Sequence, residues 1–121
     1  MFELTIDREM WLRGEGASRS KLLRHSDGKM CCLGFLCLAA GTRAKAIRGV
    51  AQPDLLFLEE LERDELRWLT DDETCSQDCI DAMEVNDDDS IEEPEREAAI
   101  TEILARHGIH ATFVGPERSE P

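Results

Sequence analysis

The sequence predicts an α+β fold, in which a small antiparallel sheet made from the two chain ends carries three or four packed helices. Apolar and polar residues alternate in FELTI, residues 2–6, and in IHATFV, residues 109–114, which is the period of a half-buried strand. Between them lie an apolar run and two segments with helical spacing of apolar residues. A length of 121 residues predicts one compact domain over residues 1–114, followed by a disordered acidic tail over residues 115–121.

The first half of the chain predicts two helices after the first strand. Asp7 is placed to cap a short helix over residues 8–14, which Gly14 would end. Residues 31–40 are almost wholly apolar and predict a buried helix with Gly41 directly after it. A buried strand is the alternative for this run, because short apolar stretches fit either element.

The second half predicts helices with charged outer faces. Leucines at positions 58, 61, 66 and 69 alternate with charges, which indicates one amphipathic helix from Leu58 to Leu69. A helix or turn is expected over residues 78–83. Pro94 suits the first turn of a further helix, which has acidic residues early and basic residues late and ends at Gly108.

Five cysteines raise the question of a metal or redox site. No signal peptide is recognisable, so we expect a cytoplasmic protein in which thiols stay reduced. Cys31, Cys32 and Cys37 lie among apolar residues, where a free cysteine packs as a small apolar group. We therefore predict core packing, with no catalytic residue, metal or other cofactor. A metalloprotein or enzyme that uses Cys75 and Cys79 with His107 and His110 is the alternative.

Familiar chemical motifs are absent from the sequence. There is no GxGxxG, GxxxxGK[ST], GxSxG or HExxH. The acidic run NDDDSIEE, residues 86–93, does not match an EF-hand loop, because Ile91 and Glu92 stand where an oxygen ligand and a glycine are required.

The charge distribution is the strongest signal. The net charge is −13, yet residues 1–50 carry five acidic and nine basic residues, whereas residues 51–121 carry 22 acidic and five basic ones. Direct nucleic-acid binding by the second half is excluded by its few bases, and no membrane span is predicted. A basic groove on another protein would attract this half, although solubility alone also accounts for an acidic surface.

Several stretches resemble a group of small proteins carried by bacteriophages and prophages. They are WLRGEG (11–16), GKMCCLGFLCLAAG (28–41), NDDDS (86–90) with ERE (95–97), and HGIHATFV (107–114). The most specific is GKMCCLGF, and the resemblance spans residues 11–114. It implies a compact protein made during infection and carries over no catalytic residues. Small acidic phage proteins are similar in character to anti-CRISPR proteins, several of which mimic DNA.

These observations lead to an expected function as a phage-encoded counter-defence inhibitor and not an enzyme. It would act as a monomer or homodimer and use an acidic, DNA-mimicking surface to block DNA binding by a host CRISPR surveillance complex. An adaptor that binds through the Leu58–Leu69 helix is a further alternative. The predicted partner-binding residues are Asp71, Asp72, Glu73, Asp87, Asp88, Asp89, Glu92 and Glu93, with Glu59, Glu60 and Glu62 as an extension.

Overall fold

The computed structural model describes residues 1–56, 58–72 and 74–116. It contains four strands and five α-helices among these residues, which confirms the α+β prediction. The strands are β1 (Phe2–Asp7), β2 (Thr70–Asp71), β3 (Thr74–Cys75) and β4 (Ile109–Val114). The helices are α1 (Cys32–Ala39), α2 (Ala44–Ile47), α3 (Leu58–Leu61), α4 (Gln77–Asp87) and α5 (Glu93–Ala105). The predicted tail is described only at Gly115 and Pro116, and residues 117–121 lie outside the described residues.

The two chain ends pair as predicted, but in parallel. β1 runs beside β4 in register from Phe2 opposite Ile109 to Asp7 opposite Val114. The predicted antiparallel orientation is therefore wrong for this pair, and among the described strands the antiparallel pair is the short β2–β3 pair. Alternation with a period of two is the same in both orientations. About a hundred residues separate the two strands, which is ample for the crossover that parallel pairing needs.

Helix α1 lies in the middle of the core, as its apolar sequence predicts. Its residues Leu33, Leu36 and Cys37 are fully buried. Gly34 lets this helix lie directly against the backbone, since a Cβ placed there would be 1.9 Å from the carbonyl oxygen of Leu22. No side chain fits at such a distance, so this glycine is required by packing and not by its backbone angles.

Helices α4 and α5 pack against each other, and α5 also packs on β4. The hydroxyl of Ser76 accepts a hydrogen bond from the Cys79 amide and caps the start of α4. Pro94 lies in the first turn of α5, as predicted, and Ile100 and Leu104 turn into the core. This arrangement places the loop between the two helices, residues 88–92, at one end of the helix pair.

Two predicted helices do not form. Residues 8–10 make a turn, after which Trp11 pairs with Met30 in an isolated bridge. The continuous helix from Leu58 to Leu69 is also wrong, because α3 ends at Leu61 and a short 3₁₀ segment begins only at Arg67. The step of five residues from Leu61 to Leu66 departs from helical spacing, and an irregular chain buries both leucines. None of the described helices is long and apolar enough to cross a membrane.

Candidate acidic interaction surface

The cysteines are core residues. All five are free thiols, four of them are buried and Cys75 is half-buried. Burial raises the pKa of Cys31 and of Cys37 to about 12, and it also raises the pKa of Cys79. A raised pKa disfavours the thiolate, which is the form that binds metals and attacks electrophiles. The apolar stretch around residues 31–37 therefore supplies packing, as predicted.

The two candidate histidines, His107 and His110, have separate acidic partners. The Nε2 atom of His107 lies 2.7 Å from a carboxylate oxygen of Asp78, and its ring stacks on Trp68 at 4.2 Å. The Nδ1 atom of His110 lies 3.0 Å from a carboxylate oxygen of Glu3. Within the described part of the chain, no three His, Cys, Asp or Glu side chains form a group that could hold a metal ion.

Ion pairing leaves much of the acidic charge uncompensated. Every arginine that the structure describes after residue 50 already has an acidic partner: Arg63 with Glu60, Arg67 with Asp64, Arg96 with Glu93, and Arg106 with Asp78 and Glu102. Arg8 reaches from the first half to Glu97 at 2.8 Å. The second half has no lysine. Its remaining described acids form no ion pair with a described base.

The predicted interface residues differ in their exposure. Six of them are exposed and form no ion pair within the described residues: Asp71, Asp72, Asp89, Glu92, Glu59 and Glu62. Glu60 is partly exposed, and the Arg63 guanidinium beside it lowers the pKa of its carboxyl group. Glu73 lies outside the described residues.

Glu93 is a structural residue, which corrects its place among the predicted interface residues. Only 11% of its side chain is exposed. One carboxylate oxygen accepts from Arg13 Nε at 2.5 Å, and the other accepts from Arg96 Nη1. Both arginines are buried, so the carboxylate is engaged inside the molecule and is withdrawn from any partner. Its position in an acidic run gave no indication of this role.

Asp87 and Asp88 are partly exposed and have opposite pKa shifts. Burial raises the pKa of Asp87, which accepts from the Asn86 amide at 3.0 Å. Hydrogen bonds from the Ser90 hydroxyl and amide lower the pKa of Asp88. Neither side chain forms an ion pair with a described base.

Asn86 is a buried residue whose importance the sequence did not reveal. Its carbonyl oxygen accepts from Trp11 Nε1 at 2.8 Å and from the Cys32 amide at 3.0 Å. Its amide group donates to the Leu12 carbonyl at 2.9 Å as well as to Asp87. The three bonds to Trp11, Cys32 and Leu12 join the end of α4 to the start of α1 and to the segment after β1. They hold the neighbouring acidic residues in place.

Helix α4 adds two acidic residues that were not among the predicted ones. Asp81, Glu84 and Asp88 follow each other at steps of three and four residues, which places them on one side of the helix. Asp81 accepts from Gln77, and neither Asp81 nor Glu84 has an ion-pair partner among the described residues. Asp71 lies near the start of α4, because it lines a depression together with Ser76 and Gln77. We define the acidic surface as Asp71, Asp72, Asp81, Glu84, Asp88, Asp89 and Glu92.

A groove of about 480 Å³ opens beside this surface. Ile80 and Met83 of α4 contribute apolar wall, and Ala51 and Gln52 line the groove as well. Glu84, Asp87, Asp88 and Asp89 also line it. The groove thus combines an apolar interior with carboxylates that form no ion pair with a described base.

Comparisons of the chain with protein-family models, with curated proteins and with solved structures found no match.

Proposed function

We propose that this protein is a phage-encoded counter-defence inhibitor that acts by binding, without catalysis, in the host bacterial cytoplasm. Its acidic surface would occupy a basic DNA-binding site on a host protein complex and exclude the DNA. The proposal that the acidic surface is the binding element is supported by its carboxylates, which form no ion pair with a described base. The resemblance to small phage proteins suggests a CRISPR surveillance complex as the target.

One observation carries the proposal: the described arginines of the second half are all paired internally, while the acidic surface is not. Residues at helical steps of three and four are neighbours on the helix surface, with their Cβ atoms about 5–6 Å apart. Along α4, about 16 Å long for its 11 residues, the carboxylates at such steps form a row of negative charge. Duplex DNA also presents its charges in rows, one along each strand, at about one charge per 1.7 Å of axis for the two strands together. A protein groove that binds such a row electrostatically would attract this surface.

The adaptor alternative loses its structural basis. It required a leucine-striped helix from Leu58 to Leu69, but Leu61, Leu66 and Leu69 are all buried in the core. They offer no apolar stripe to a partner. The metalloprotein alternative gains no support from the described residues, because Cys75 and Cys79 do not form a metal-binding group with either histidine.

The test is neutralisation of four acidic side chains without change of shape. The variant D81N/E84Q/D89N/E92Q keeps side-chain size and removes four charges from the acidic surface. We expect it to lose at least tenfold in affinity for a purified surveillance complex and to stop displacing target DNA in a gel-shift competition. The wild-type interaction should weaken as salt is raised, since exposed charges are then screened.

A matched control removes the same amount of charge elsewhere. The exposed residues Glu3, Glu9, Asp64 and Glu102 are replaced in E3Q/E9Q/D64N/E102Q, which should retain full binding. Equal loss in both variants would mean that total charge matters and the acidic surface does not. Full inhibition by the first variant would refute the proposal.

A further inference from the structure

We propose that the groove beside α4 receives an arginine side chain from a basic segment of the protein partner. This inference rests on the proposed function for the existence of a basic partner. It goes further by naming the chemical group that is bound and its place on the surface.

The groove suits a group that is apolar along its length and cationic at its end. Ile80, Met83 and Ala51 offer apolar wall to an aliphatic stem, and the carboxylates of Glu84, Asp88 and Asp89 are available to a cationic head. Arginine and lysine side chains have this composition. The volume of about 480 Å³ lies within the roughly 300–1,000 Å³ range of pockets that hold small ligands.

The charges around the groove exclude other kinds of occupant. An anion would be repelled by four carboxylates. An uncharged apolar group would displace water from them and give no compensating bond. Arg96 lies nearby, but its guanidinium is engaged by Glu93 and by the backbone oxygens of Val85 and Asp88. No described base forms an ion pair with these carboxylates, so a cation that bonds them directly would come from another molecule.

Arginine fits better than lysine for a geometric reason. Its planar guanidinium has five N–H donors and can bond carboxylates on more than one side, whereas an ammonium acts as a point charge. Asp88 is held ionised by its bonds to Ser90, which keeps an acceptor available. Asp87 is half-buried and forms no ion pair with a described base, and burial raises its pKa despite the charge of Arg96, so a guanidinium in direct contact would relieve the electrostatic cost of burying its charge.

A second copy of this chain is the competing occupant. Arg43, Lys45 and Arg48 are exposed around α2 and make no ion pair with the described acids. A neighbouring copy could place one of these basic side chains in the groove. A net charge of −13 on each copy opposes such association at long range, which favours a partner that is basic overall.

The experiment titrates the full chain with two pentapeptides and follows backbone amide shifts by NMR. One peptide is acetyl-Gly-Arg-Gly-Arg-Gly-amide, and the other has citrulline, which is nearly isosteric and uncharged, in place of arginine. We expect shifts at Gly16, Gln52, Ile80 and Met83 with the arginine peptide only. A lysine version should bind several-fold more weakly. Equal shifts with the citrulline peptide would overturn the proposal.

A groove-filling variant separates this inference from the proposed function. Ala51 is exposed, so A51W fills the groove without changing any charge, and A105W makes the same change at an exposed site on α5. We expect A51W to lose at least tenfold in affinity for the arginine peptide and for the partner complex, while A105W loses neither. If A51W binds both normally and D81N/E84Q/D89N/E92Q does not, the groove is wrong and the acidic surface stands. If the arginine peptide needs the groove but no variant affects inhibition, the proposed function fails instead.

Self-association is tested by dilution of the free protein. Concentration-dependent shifts at the groove that vanish in R43Q/K45Q/R48Q would assign the groove to a second copy and overturn the proposal. Shifts that do not change with concentration would support the heterologous partner.

Discussion

The inner and outer sides of one acidic segment, residues 86–93, have opposite roles. Its two ends, Asn86 and Glu93, are turned inward and hold buried groups: the indole of Trp11 and the guanidinium of Arg13. Asp89 and Glu92 between them are exposed and have no ion-pair partner among the described residues. Polar residues that are adjacent in sequence therefore divide into a structural pair and an exposed pair that is free of ion pairs with described bases. Composition does not separate them, but their partners do.

Among the changes on the inner side, Asn86→Ala should have the largest effect on the free energy of unfolding. This change leaves Trp11 Nε1, the Cys32 amide and the Leu12 carbonyl buried without a partner. Each buried unsatisfied group costs about 1–3 kcal/mol, so we expect a loss of about 3–5 kcal/mol in the free energy of unfolding. Urea unfolding followed by tryptophan fluorescence measures it. Asp89→Ala, on the outer side, should change the same quantity by less than about 0.5 kcal/mol.

Glu93→Gln tests the other inner residue. The amide keeps the size of the side chain but removes the charge that faces Arg13 and Arg96, both of which are buried. Removing one partner of a buried ion pair is strongly destabilising, and we expect about 2–4 kcal/mol because one hydrogen bond to the amide oxygen survives. Its exposed neighbour supplies the control, Glu92→Gln, which should be neutral in urea unfolding. Equal effects of the two changes would contradict the division into inner and outer sides.

Asp87 lies at the boundary, and its effect is the smallest and depends on pH. Its folded-state pKa is raised, so its ionised form is less favourable in the folded chain than in the unfolded chain. It therefore destabilises the fold at neutral pH and has no such effect below its ordinary value of 3.8, where both states hold the proton. We expect Asp87→Asn to raise the midpoint of urea unfolding slightly at pH 7 and to leave it unchanged at pH 3.

Asp88 gives the opposite sign and serves as the matched comparison. Its folded-state pKa is lowered by Ser90, so it contributes stability above 3.8 that is lost as the pH falls through the folded value. Asp88→Asn should therefore lower the unfolding midpoint at pH 7. A stabilising effect of this change, or a destabilising effect of Asp87→Asn, would invert the assignment of the two aspartates.

Local sequence patterns predicted much of the fold. The buried run at residues 31–40 forms α1, the two alternating ends form paired strands, and Pro94 lies in the first turn of α5. The predictions were wrong where the local secondary-structure preference and the packing of the folded chain disagree. Residues 58–69 contain strong helix formers, but burial of Leu61 and Leu66 in an irregular path prevails over helix propensity. The direction of the strand pair was also beyond local information, because periodicity does not encode it.

By itself, the sequence determined the α+β class, the apolar centre and the charge of the second half, since these depend on composition and on spacing along the chain. Only the tertiary structure decided which acidic residues remain without a base. The ion pair of Arg13 with Glu93 joins residues that are 80 positions apart in the sequence. The hydrogen bond from Trp11 to Asn86 joins residues that are 75 positions apart. Side chains meet across such distances only when α4, α5 and the segment after β1 have packed, because no local rule specifies which charges that packing brings together.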